Sequence, residues 1–294
     1  MASKDRRRRD SGRVSPAPFP EGMAFIWNIT TKSQLISILN DGVLWCGVNL
    51  VDSKNKIREK IWRVLERERV ALFPGAHGRI PNFKGADKAA RLLSTLPEWR
   101  SALLIKANPD SPQRPVRHLA LSSGKTIYMA VPRLREKECF IKLDPSKVLP
   151  KNISEASTIK GAFRFGIPLH PKEIPQIDLI VAGSVAVNRK GSRIGKGGGY
   201  SDLEYAIGRD FGFVKEDVVI LTTVHPLQIV DEDLSETDHD FRIDFIVTPD
   251  EIIPTHRKGG RPKGIIRDHL TEEKIYEIPI LKEILSLAST YYTT

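Results

Sequence analysis

Cysteine is almost absent from these 294 residues: Cys46 and Cys139 stand far apart with no Cys-x-x-Cys pair. That excludes a disulfide framework and a cysteine zinc site, and it makes a reducing cytoplasm the expected location. Long apolar runs are missing as well, none approaching the roughly 20 residues needed to cross a bilayer, which excludes a membrane span. The seven histidines show no metal-ligand spacing; His225 and His239 are too far apart for one helix face, and neither has a cysteine nearby. No internal repeat and no strong domain boundary is visible. The Arg-rich start lacks the apolar core of a secretory signal, and Asp5, Asp10 and Glu21 argue against an organellar transit peptide.

What is present is an ordinary globular composition, 40% hydrophobic and 28% charged, with a formal net charge of +10. In residues 1–14, six bases (Lys4, Arg6, Arg7, Arg8, Arg9 and Arg13) face two acids (Asp5 and Asp10), a net +4 that leaves +6 for the rest. A remainder of that size suits anionic small molecules as well as nucleic acid. Residues 1–22, rich in Arg, Pro and Ser, read as a disordered basic tail, and 23–294 as one folded domain.

Apolar periodicity predicts a short helix over 32–39 and a longer one over 52–68, where Ile57, Ile61, Trp62 and Leu65 share a face. Trp62 is expected in the core. The opposite face carries Lys54, Lys56, Arg58 and Lys60, a pattern that a solvated surface also produces. Further helices are expected over 85–96 and near 116–122. Strand-like runs fall at 102–106, 126–131, 177–182, 218–224 and 243–247. Strands and helices alternating in this way predict an α/β fold: a single three-layer domain, its mainly parallel sheet covered by helices on both faces. The stretch 145–175 is the least regular, a lid or a connection. Residues 271–287 read as an amphipathic helix, the core of a C-terminal helical extension over about 271–289.

The most informative segment follows the 177–187 strand region. It places Gly195, Gly197, Gly198 and Gly199 within five residues, beside Arg193 and Lys196. Glycines permit positive φ and close backbone approach, and successive N–H groups leading into a helix N-terminus form an anion site. The spacing fits neither a P-loop nor G-x-G-x-x-G. A polyphosphate is the expected guest. Ser201-x-x-Glu204 reads as a capping box, so a helix is expected to start near Ser201. Asp202 then lies in its first turn, where it would repel a phosphate unless a cation such as magnesium stood between them.

The run GSRIGKGGGYSD from Gly191 is similar to the G-x-R-x-G-x-G-x-G-Y-Y-D of the 5-formyltetrahydrofolate cyclo-ligase (methenyltetrahydrofolate synthetase) family. The resemblance extends over about 54–249. It is closest to the divergent methenyltetrahydrofolate synthetase domain-containing, or cyclo-ligase-like, branch. RIPNFKG from Arg79, VPRL from Val131, VAGSVAV from Val181, GYSDLEYA from Gly199 and IPIL from Ile278 carry that likeness. It implies an ATP-dependent ligase that phosphorylates the formyl oxygen on N5 of 5-formyltetrahydrofolate, after which N10 attacks and 5,10-methenyltetrahydrofolate forms.

Carried onto matching positions, the resemblance implies that Lys54, Arg58, Arg193 and Lys196 hold ATP phosphates together with the loop from Gly195 through Gly197, Gly198 and Gly199 to Tyr200 and Ser201. Arg193, Lys196 and Asp202 become the catalytic set. Asp202 and Asp240 become the magnesium ligands, with Asp110, Arg133 and Tyr200 toward the folate. Two departures fall on the folate side: Ser201 replaces a tyrosine, and Asp110 stands where the family has a glutamate. A pterin-like or thiamine-related substrate therefore stays open. The rival readings are a non-catalytic nucleotide-binding scaffold and a nucleic-acid-binding protein, the latter resting on Arg6 to Arg9 and on HRKGGRPKG from His256 to Gly264.

Overall fold

A computed structural model describes residues 44–291, with side chains from 51 to 286. The expected tail over 1–22 and the expected helix over 32–39 lie outside these residues. Strands β1 (Leu104–Ala107), β2 (Thr126–Ala130), β5 (Leu179–Ala182), β8 (Val219–Thr223) and β10 (Phe245–Val247) pair in parallel. Strands β3 (Phe140–Leu143), β4 (Ile167–Leu169) and β11 (Ile252–Pro254) join antiparallel at the edges, giving the order β11-β10-β8-β5-β1-β2-β3-β4. A smaller sheet in the order β7-β6-β9 combines β6 (Ala186–Asn188), β7 (Arg193–Ile194) and β9 (Ile229–Val230).

The central strands are apolar on both faces because both are covered. Alternate residues fall into different cores: Ile105, Ala107, Ile127, Met129, Leu179 and Val181 in one, Tyr128, Ala130, Ile180, Ala182, Ile220 and Ile246 in the other. That two-residue alternation is what a pleated strand imposes. Before the sheet come α1 (Leu44–Arg67), α2 (Ala86–Leu93) and the single turn α3 (Pro97–Ser101). Within it lie α4 (Arg114–Ser122), α5 (Ile153–Ala156), α6 (Ile159–Phe165) and α7 (Tyr200–Asp210), and after it α8 (Glu272–Glu277) and α9 (Pro279–Tyr291).

The first core is closed by α2, whose Ala86, Ala89, Ala90 and Leu93 recur at helical spacing, and by Val116, Ala120 and Leu121 of α4. The second is closed by Leu203, Tyr205 and Ile207 of α7 and by Ile278, Ile280 and Leu281. The three-layer α/β expectation holds. A third cluster packs Ile61, Trp62 and Leu65 of α1 against Val185, Ala186, Ile194 and Val230 of the small sheet. Trp62 is core as expected, and its Nε1 donates to the Arg79 carbonyl at 2.9 Å, fixing the RIPNFK segment to α1.

Several expectations need correction. Helix α1 begins at Leu44 rather than near Asp52, since only Gly47 interrupts the stretch between and one glycine costs a helix only about 1 kcal/mol. The C-terminal helix is two helices, because the carbonyl-blocking ring of Pro279 starts a new one after Ile278. Stretch 145–175 contributes the two short helices α5 and α6 and the edge strand β4. No helix among the described residues is long and apolar enough to cross a membrane.

Candidate functional site

Ligands in open parallel sheets collect beyond the strand C-termini, where strand order reverses. Here that point lies between β1 and β5, since the chain passes from β1 to β2 on one side and returns through β5 on the other. The residues that follow these strands meet there. A cleft of about 460 Å³ is lined by Asn108 and Asp110 after β1, Val131, Pro132 and Arg133 after β2, and Gly183 after β5. Its opposite wall is the Gly-rich loop and the first turn of α7, with Arg193, Gly195, Lys196, Gly198, Gly199, Tyr200, Ser201, Asp202 and Glu204.

Within the loop, Gly197 and Gly199 have φ of 105° and 68°, where only glycine is unstrained; Gly195 and Gly198 do not. Gly199 is the N-cap of α7, so the amides of its first turn remain open toward the cleft side. The expected capping box does not form. Ser201 instead donates to Asn108 Oδ1 at 3.4 Å, and Glu204 is buried against Lys106 and Asn108, whose Nδ2 donates to Glu204 Oε2 at 3.0 Å. Long-range partners capture both side chains before the local cap can.

Four expected cations surround this loop. Arg58 is buried, and its Nε donates to the Gly195 carbonyl at 2.7 Å while Nη1 donates to Asn55 Oδ1 at 2.6 Å. Arg193 bridges the cleft floor, with Nη1 to the Gly183 carbonyl at 3.0 Å and Nη2 to Asp202 Oδ1 at 2.7 Å. Its guanidinium lies 4.4 Å from the Phe241 ring centre, and its Nε is buried without a partner. Lys196 donates to Asp110 Oδ1 at 2.9 Å, and Lys54 to Asp240 Oδ2 at 2.5 Å. Lys54 and Arg58 share one face of α1 one turn apart, whereas Lys56 and Lys60 point to solvent. The solvated-face pattern thus describes half of that basic run.

Electrostatics couple these groups. Burial lowers the Arg58 pKa and Arg193 adds to the effect, while Asp240 and Asp202 oppose it. Burial alone would raise the Asp240 carboxyl; the Lys54 ammonium and two donors from Thr237 outweigh it and hold the group below its ordinary value. Asp202 accepts only at Oδ1 and Asp240 only at Oδ2, leaving one oxygen of each carboxylate without a hydrogen bond. No group of three or more His, Cys, Asp or Glu that could hold a metal occurs among the described residues. Two free carboxylate oxygens suit a hard cation whose remaining ligands are phosphate oxygens and water. Arg133 has φ of 60° and sits exposed at the cleft with no ion pair, so the surface-pair alternative does not apply to it.

Sequence reasoning missed the floor: Lys106, Asn108, Gln113 and Arg117. Arg117 is fully buried and donates to the carbonyls of Asn108 (2.5 Å), Pro109 (3.2 Å), Asp110 (3.1 Å) and Ser157 (2.9 Å), fastening the loop after β1. Burial brings its pKa down to about 10, so it stays charged at neutral pH. The available signal was a lysine inside the apolar LIKA strand, which needs a buried partner. In the HRKGGRPKG loop, Arg257 and Arg261 turn inward to Asp244, at 2.7 and 2.5 Å.

Comparison with known proteins gives the same direction as the loop. Residues 51–249 match the 5-formyltetrahydrofolate cyclo-ligase family, against an expected span of 54–249. A methenyltetrahydrofolate synthase domain-containing protein of Mus musculus is 43% identical over 236 residues, covering 79% of this chain and 63% of that protein. Its Danio rerio counterpart is 39% identical over 244 residues, covering 82% and 63%. The chain thus spans less than two thirds of these relatives. The solved 5,10-methenyltetrahydrofolate synthetase of Aquifex aeolicus is 17% identical, with a TM-score of 0.44 over 74% of this chain and 96% of that one. The match over most of its length means that the chain belongs to the 5-formyltetrahydrofolate cyclo-ligase family.

Proposed function

We propose that the chain is an ATP-dependent ligase that closes 5-formyltetrahydrofolate, or a close pterin-like relative, to its methenyl form. The observation that carries this reading is the convergence of Arg58 and Arg193, from opposite ends of the fold, on the Gly-rich loop and its acid: Arg58 on the Gly195 carbonyl, Arg193 on Asp202. Such an arrangement neutralises and positions a polyphosphate, and phosphoryl transfer needs those two services more than a covalent nucleophile.

In this reading Lys54, Arg58, Arg193 and Lys196 hold the phosphates of ATP, with the amides of residues 197–199 and the open N-terminus of α7 as further donors. Asp202 and Asp240 hold magnesium, which when bound neutralises phosphate charge. Arg193 and Lys196 orient the transferred group beside the substrate, and Asp110, Arg133 and Tyr200 line its side of the cleft. The family match and the methenyltetrahydrofolate synthase domain in the relatives' name support the folate assignment.

Incubating the chain with 5-formyltetrahydrofolate and Mg-ATP while following the near-UV absorbance of the methenyl product tests the reading. Product that requires both ATP and magnesium is expected. No product at high enzyme concentration contradicts the folate assignment, and ATP binding without any turnover would select the scaffold reading instead.

A further inference from the structure

Beneath Gly183 the cleft holds oxygens that hydrogen-bond to nothing. Gln113 is fully buried; its Nε2 donates to Thr223 Oγ1 at 3.3 Å, while its Oε1 has no partner. A methyl group on Gly183 would stand 3.1 Å from that oxygen, 3.2 Å from Asp110 Oδ2 and 3.1 Å from Ile80 Cγ2. Asp110 gives only its Oδ1 to Lys196, so Oδ2 is also free. Asn108 connects this corner to Glu204, accepting from the Gly183 N–H at 3.3 Å and donating to Glu204 Oε2 at 3.0 Å. Glu204 is 5% exposed; Lys106 shares its Oε2, and Oε1 takes no bond.

Three side chains therefore present unbonded acceptors to one end of the cleft. An unpaired buried acceptor costs about 1–3 kcal/mol, and a buried ion pair is often no more stable than apolar residues of the same size. Nothing in the packing of β1 requires either. Ligand N–H groups would satisfy these oxygens, and the missing side chain at Gly183 leaves them room.

We infer that this corner binds the edge of a heterocycle carrying two adjacent N–H donors, of the 2-amino-4-oxopyrimidine type, with Gln113, Glu204 and Gly183 as specificity determinants. The inference rests on the cyclo-ligase reading of the cleft. A 4-aminopyrimidine, as in a thiamine-related compound, offers one amino donor beside a ring-nitrogen acceptor. A 2,4-dioxo ring offers a carbonyl where the amino group stood. Either sets acceptor against acceptor, and sites built around buried hydrogen-bonding groups reject such partners strongly.

Calorimetric titration of the full chain with pterin-6-carboxylate, its 2,4-dioxo (lumazine) counterpart and a 4-amino-2-methylpyrimidine tests the inference. The pterin is expected to bind at least tenfold more tightly than either alternative. Gly183→Ala, by filling the corner, is expected to weaken the pterin at least tenfold, and Gln113→Leu to shrink the preference. Gln113→Leu removes an unpaired oxygen without stranding a charge, so it keeps the test informative if the alanine disturbs its loop. Equal affinity for the three rings, or both variants binding like the wild type, overturns the assignment. Ring preference is read without turnover, so a chain that discriminates the rings but forms no methenyl product contradicts the functional reading alone.

Discussion

Asp240 shows how a single residue can be tuned by the part of the chain farthest from it. Its carboxylate sits 186 positions from Lys54, yet the two meet at 2.5 Å, and Thr237 adds two donors to the same oxygen. The group's pKa is depressed in the fold, so its contribution to stability is present above the unfolded value, about 3.9, and is lost as pH falls through the folded value. Asp240→Asn should therefore be less stable than the wild type at pH 7, with the difference closing in acid below about pH 4. Urea titrations at several pH values check this, and a gap that persists unchanged into acid would contradict it. In the sequence Asp240 was one acid among Glu236, Asp238 and their neighbours, and only the family resemblance singled it out. No local pattern could announce a partner on α1.

At the scale of elements, the Gly-rich loop and α7 were the most legible part of the site. The helix starts at Tyr200, one residue from the expected position, but its cap is Gly199 at φ 68° rather than Ser201. A short-range motif was read correctly as a helix start and wrongly as its chemistry, because Asn108 and Lys106 lie across the sheet and compete for the same side chains. Gly199→Ala should cost about 1–2 kcal/mol through left-handed strain. It should also weaken ATP binding by displacing the first turn of α7; thermal melts and ATP titration read both, and an alanine variant matching the wild type in each would refute the cap assignment. The five parallel strands were visible as apolar runs. Strands β6, β7 and β9, two or three residues each, were not, since so few residues show no period.

For the molecule as a whole, the three-layer α/β architecture followed from alternating runs, while the polar floor between the layers did not. Lys106 and Glu204 are 2% and 5% exposed, on elements 98 residues apart. Removing one partner strands the other charge in the interior, so Lys106→Met alone should lose about 3–5 kcal/mol. Lys106→Met/Glu204→Gln, which removes both charges, should lie much closer to the wild type. Urea unfolding of the single and double variants measures this, and equal losses in the two would remove the buried pair from the account.

The central claim is that the cleft at the ends of β1, β2 and β5 is a magnesium-dependent ATP site. Titrating ATP into the wild type and into Asp202→Ala, each with magnesium and with a chelator, tests it most directly. The account predicts wild-type binding that magnesium strengthens at least tenfold and an Asp202→Ala variant in which that enhancement is lost. A wild type that binds no ATP, or a variant with the same magnesium dependence, would contradict it.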